Sequence, residues 1–164
     1  MSTLTFVCFM DYKDGKMARM ETTEDMEIPV NIFIDNASEF EDLQRETPCN
    51  IDIYGVGSNI EVFPSEEAYE ASGLQMAPIS MIPMGTFPVN DDPDFMESPH
   101  VLFSGMVTEV ENMPPSNPGD PNYCLTIETL EFEFHLYALL DKPVAAGYII
   151  HGVAWLFGDI VPLK

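Results

Sequence analysis

The side chains best suited to chemistry gather in the C-terminal part of this chain. His100, His135, His151 and Cys124 each fall on or beside a strand-like run, and Glu128 or Glu133 could add an oxygen ligand. Imidazole, thiolate and carboxylate are the groups that zinc prefers. Zinc motifs, however, bring their ligands in closely spaced pairs, and these residues are scattered. Hydrogen-bonded structural histidines are therefore expected, with no metal or other cofactor.

Glu128, Glu131 and Glu133 form a second cluster. Crowded carboxylates raise one another's pKa, as an acid/base pair requires. No nucleophile or oxyanion donor can be named beside them, so a solvated strand face is the expectation. The chain has no GxSxG motif, no HExxH motif and no cysteine with an identifiable base. Catalysis is not expected.

Two loops imitate ligand-binding motifs. In GVGS, Gly55 and Gly57 follow a strand-like run, but a dinucleotide fingerprint needs glycine where Ile60 stands, and a Walker motif needs a lysine that is missing. We read them as turn residues. NDDPD, residues 90–94, places oxygen ligands as a calcium loop begins, yet Phe95 occupies the obligatory glycine position and Val101 that of the closing glutamate. An acidic solvated turn is the simpler reading.

The elements that would position these groups are set by composition. A chain of 164 residues, 46% hydrophobic, buries roughly 70% of its unfolded surface and needs no disulfide or metal to fold. The formal net charge is −22, with six Lys and Arg in all, four of them within the first 45 residues. Residues 46 to 141 contain no Lys or Arg and seventeen carboxylates. Such a surface repels nucleic-acid phosphates, so direct nucleic-acid binding is not expected. A basic protein is the partner that it would attract.

The opening residues lack a basic leader followed by an apolar core, and no apolar run reaches the ~20 residues of a membrane span. A cytoplasmic protein that does not insert in membranes is expected. Cys8, Cys49 and Cys124 are odd in number and outside any CxxC pattern, so they read as small buried hydrophobes in a reducing compartment. The oligomeric state is not legible.

In chain order, residues 3–12 and 17–22 read as a hairpin whose loop carries Lys13, Lys16 and Arg19. Residues 27–35 alternate as a third strand, with Pro29 at its beginning or edge. Residues 36–45 read as a short helix, with Ser38 as cap and Glu41 completing a capping box. Residues 51–63 alternate around Gly55 and Gly57 as a second hairpin. A helix is expected over residues 65–71, capped by Ser65 and stopped by Gly73. Five prolines between residues 74 and 99 predict an irregular connection.

From residue 100 onward the β pattern is plain. Val101, Phe103 and Val107 share a face, as do Leu125 and Ile127; Phe132, Phe134, Leu136 and Ala138 oppose Glu131, Glu133, His135 and Tyr137. No turn is evident between Thr129 and Phe132, so a hairpin and one long bent strand both fit. The closing run GYIIHGVAWLFGDIV is apolar on both faces, as for a strand covered on both sides.

Three segments, VLFSGMVTEVE, YCLTIETLEFEFHLYAL and GYIIHGVAWLFGDIV, together resemble an OB-fold-like small β-barrel and, more loosely, uncharacterised bacterial proteins of similar pattern. The resemblance implies a mostly β (α+β) fold: an N-terminal β/α segment, residues 1–99, packed on an OB-like barrel, residues 100–164, in one compact unit. It leaves the fold's remaining strand and helix to the N-terminal half. OB-folds use stacking aromatics, here Tyr123, Tyr137 and Tyr148, beside a basic groove. The basic groove is missing, so fold analogy does not set function.

The functional expectation is a non-catalytic acidic protein-interaction module, with Glu128, Glu131, Glu133, His135 and Tyr137 as the candidate face. The alternatives are a small-ligand or carbohydrate-binding barrel, and a phosphate-mimicking inhibitor of a nucleic-acid-binding protein.

Overall fold

The computed structural model describes residues 2–23, 27–74, 76–86, 96–114, 117–129 and 132–161. Its strands are β1 (Ser2–Tyr12), β2 (Gly15–Thr22), β3 (Pro29–Ile34), β4 (Pro48–Phe63), β5 (Ser80–Ile82), β6 (His100–Asn112), β7 (Tyr123–Glu128), β8 (Glu133–Ala138) and β9 (Ile149–Val161). One α-helix is described, α1 (Glu66–Ala71). The fold is mostly β, and the strands join in the order β1-β2-β3-β9-β4-β8-β7-β6-β5, with further pairings β1–β4 and β9–β6. Among the described residues, no helix is long and apolar enough to cross a membrane.

The chain forms two compact units that interleave in sequence. The first comprises Met1–Ile53, Pro83–Val101 and Trp155–Lys164; the second comprises Tyr54–Ile82 and Leu102–Ala154.

In the first unit, β1 and β2 form the expected hairpin, with Tyr12 opposite Gly15. Lys13 takes a left-handed φ of 52° in the tight turn, the conformation that a short hairpin loop requires. β2 continues antiparallel to β3, β3 lies parallel to β9 at Phe33 and Phe157, and β1 returns to β4 at Ser2 and Ile51. Alternating residues build the core: Leu4 and Phe6 from β1, Met20 from β2, and Val30, Ile32 and Ile34 from β3, all buried. Each fully buried aliphatic side chain of this kind contributes about 1.5–3 kcal/mol. Pro29 begins β3, where its missing N–H is harmless.

The helix expected over residues 36–45 does not form. A single 3-10 turn, Ala37–Glu39, takes its place, and Ser38 is exposed and caps nothing. Within the segment, Glu39, Phe40 and Leu43 N–H groups donate to the Asn36, Ala37 and Phe40 carbonyls three residues back, and strand partners hold its two ends. The Asn36 amide donates to the Ile160 carbonyl and accepts from the Ile160 N–H, both at 2.9 Å. Ten residues further on, Glu46 N–H donates to Phe6 O at 2.7 Å, and Phe6 N–H donates to Thr47 O at 2.9 Å. These bonds draw both ends of the segment onto the sheet.

In the second unit, the hairpin expected around Gly55 and Gly57 is also absent. β4 runs unbroken through both glycines, and residues 54–56 pair in parallel with β8. A Cβ at Gly55 would sit 3.3 Å from both the Phe134 ring and Ala154 Cβ. Glycine therefore marks an inward position already filled by its neighbours' side chains.

Ser65 caps α1 as expected, accepting from Ala68 N–H at 3.0 Å, and Gly73 ends the turn with φ 82°. The helix delivers Tyr69 into the core at 1% exposure. Phe63 meets that ring edge-on at 5.2 Å.

β7 and β8 form a hairpin, which excludes the long bent strand. Glu128 lies opposite Glu133, and Thr129 closes the turn with its side chain, donating to Phe132 O at 2.7 Å and accepting from Phe132 N–H at 3.2 Å. On β9, Ile150, Ala154, Leu156 and Ile160 are buried, while His151, Val153, Trp155 and Phe157 are half-buried. One face of this strand is fully covered, and the other is covered in part.

Candidate functional site

Strand register brings most of the sequence-selected residues to one face of the second unit. On β8, Phe134, Leu136 and Ala138 point into the core, which turns Glu133, His135 and Tyr137 outward. β7 sets Glu128, Thr126 and Cys124 opposite them in that order. β6 adds Glu109 opposite Thr126 and Glu111 opposite Cys124. On the other side, Tyr54 lies beside His135 and Val56 beside Tyr137. Glu131 lies outside the described residues.

Three cross-strand rows result. Glu109, Thr126, His135 and Tyr54 form one; Glu111, Cys124, Tyr137 and Val56 form the next; Met106, Glu128 and Glu133 form the third. The four glutamates are exposed, and Tyr54, His135 and Tyr137 on the same face are half-buried. His135 Nδ1 pairs with Thr126 Oγ at 3.3 Å, and the Tyr54 and Tyr137 rings meet edge-on at 6.1 Å. Cross-strand contacts of this kind fix side-chain positions on a sheet surface.

Cys124 is not prepared as a nucleophile. Burial pushes its thiol pKa up, the Tyr137 hydrogen bond opposes this in part, and Glu111 adds a smaller rise. A thiolate would need the opposite surroundings. Burial also raises the Cys49 thiol. Cys8, expected inside, is exposed.

The histidines go to separate tasks. His151 Nδ1 meets Ser104 Oγ at 2.8 Å, and Ser104 Oγ meets Tyr69 OH at 2.7 Å. His100 belongs to the first unit, where it hydrogen-bonds Ser98 and lies 5.1 Å from the Trp155 ring. Its pKa is pushed below the ordinary imidazole value by burial. Among the described residues, no three His, Cys, Asp or Glu side chains group to hold a metal ion. The candidate calcium loop, residues 90–94, lies outside the described residues.

Sequence reading missed Tyr54, Glu109 and Glu111 as members of the face. The alternation of Glu109 with Val110 and Glu111 signalled an outward pair. Nothing local, however, shows that β6 and β4 flank β7 and β8. It also missed an aromatic group in the first unit, where Phe33 meets Tyr12 and Phe157 at 6.3 and 5.9 Å. Lys13 Nζ stands over the Tyr12 and Trp155 rings at 5.3 and 5.8 Å. Compared with known proteins, the chain matches no family model, no curated protein and no solved structure.

Proposed function

We propose that this protein is a non-catalytic interaction module that engages a basic protein through the outer face of β6, β7 and β8. The observation that carries this reading is the face itself. Glu109, Glu111, Glu128 and Glu133 share this sheet face with half-buried Tyr54, His135 and Tyr137. The second unit holds eleven carboxylates against one basic residue, Lys142. Carboxylates beside tyrosine rings offer Lys and Arg both an ionic and a cation–π partner. A field of one sign also steers an oppositely charged protein and speeds encounter.

We read the second unit as a small OB-like barrel. Pairings that return from β4 through β8, β7, β6 and β9 to β4 support this. The electrostatics weigh against direct nucleic-acid binding by that barrel.

Titration with an arginine-rich peptide, followed by polarisation at low and at physiological ionic strength, tests the reading. Binding that weakens steeply with salt is expected. An absence of binding at low salt overturns it. Competition between DNA and this protein for a captured basic partner would instead favour the phosphate-mimicking inhibitor.

A further inference from the structure

The first unit contains a groove of about 800 Å³ beside the β1–β2 turn, within the size range of ligand pockets. Its apolar lining is Phe9, Phe33, Ile34 and Ala37. The two rings are half-buried and held by neighbours: Phe9 leans on Phe6 at 4.8 Å, and Phe33 rests against Tyr12 and Phe157. A Cβ at Gly15 would lie 2.4 Å from Phe33 Cζ, so glycine there gives the ring its place. Rings fixed before binding lose little freedom when a ligand arrives.

The polar lining has a sign. Asp11, Asp14, Asp35 and Glu41 face two lysines, Lys13 and Lys16. Lys16 is ion-paired with Asp11 and attracted also by Glu41, while the Lys13 ammonium stands over aromatic rings. Close by, the exposed Asp159 carboxyl is pushed above its ordinary pKa by partial desolvation and by the charges of Asp35, Asp52 and Glu39. The groove thus combines an apolar lining with four carboxylates and two lysines, a net negative sign.

We propose that this groove takes an apolar anchor side chain of a partner protein whose neighbouring residues are Lys or Arg. The apolar lining selects the anchor, and the excess of carboxylates selects its basic neighbours. The proposal rests on the reading of this protein as an acidic interaction module, and it deepens that reading by naming the sequence character of the partner.

Two probes separate the proposal from the reading beneath it: a short amphipathic Lys/Leu peptide and an oligolysine of the same charge, each titrated against the full chain. The wild-type protein is expected to bind the Lys/Leu peptide more tightly than oligolysine. Ser38→Trp, at an exposed groove position, should weaken the Lys/Leu peptide by about tenfold, the loss of one anchor contact, and leave oligolysine unchanged. Glu41→Lys, also exposed, should weaken both. Equal binding of the two probes, with Ser38→Trp without effect, overturns the groove and leaves the acidic-module reading intact. Failure of both probes at low salt overturns that reading. Displacement of the Lys/Leu peptide by a neutral oligosaccharide assigns the groove to another ligand class and also overturns the proposal.

Discussion

Ser104 accepts a hydrogen bond from His151 Nδ1 at 2.8 Å; it does not offer one. Tyr69 OH donates its only proton to Met76 O at 2.8 Å. Ser104 must then donate to Tyr69 oxygen across their 2.7 Å contact, which leaves Nδ1–H of His151 as the donor to Ser104. A serine nucleophile needs the reverse polarity, in which serine donates to the imidazole. The chain Tyr69–Ser104–His151 is a polar tie within the second unit.

Ser104→Ala should destabilise the protein by about 1 kcal/mol, because it removes the hydrogen bonds to buried Tyr69 and half-buried His151 while Tyr69 keeps its bond to Met76 O. Denaturant unfolding measures the loss. Nitrogen chemical shifts of the neutral His151 ring should report the Nδ1–H form. A neutral Nε2–H ring would contradict the assigned polarity.

His100 provides a second test, because Trp155 is the chain's single tryptophan. Burial lowers the His100 pKa, so the folded state resists protonation of this ring more than the unfolded chain does. Its contribution to stability is present above the unfolded histidine value and is lost as pH falls through that value toward the lower folded one. Trp155 fluorescence should quench on acidification with a midpoint below that of an ordinary histidine, and His100→Phe should abolish the step.

Asp159 behaves in the opposite sense. Its raised pKa means that ionisation of this exposed carboxyl is disfavoured in the folded state, by partial desolvation first and then by Asp35, Asp52 and Glu39. Stability from this group is full below an aspartate's ordinary value and is lost as pH rises through the higher folded value. Asp159→Asn should therefore raise the melting temperature at neutral pH. The gain should shrink with added salt and vanish in acid.

Much of the strand pattern was legible because Ile28, Val30, Ile32 and Ile34, or Phe132, Phe134, Leu136 and Ala138, repeat with the period of a half-buried strand. Misreadings occurred where distant partners decide local structure. Gly55 and Gly57 looked like turn formers because sequence does not show the Phe134 ring that fills the space beside Gly55. Residues 36–45 carry helix signals, but Ile160 holds the Asn36 side chain and Phe6 holds Glu46 and Thr47, which ties both ends of the segment to strands far away in sequence. For the candidate face, alternation placed Glu133, His135 and Tyr137 on one side of a strand. Register alone added Glu109, Glu111 and Tyr54.

Thiol reactivity should follow burial. Cys8 is exposed, Cys124 half-buried and Cys49 buried, and burial raises the last two thiols away from the reactive thiolate. Iodoacetamide at neutral pH, read by peptide mass spectrometry, should label Cys8 first and Cys49 last. Faster labelling of Cys49 than Cys8 would contradict the packing of β4 against β1.

The most direct test of the acidic interaction face is the affinity of an arginine-rich peptide for a variant with Glu109, Glu111, Glu128 and Glu133 all changed to Gln. These side chains are exposed, so the variant should fold, which circular dichroism verifies. Removing four charges should weaken low-salt binding by at least about tenfold and flatten its salt dependence. Unchanged affinity and salt dependence in a folded variant would contradict it.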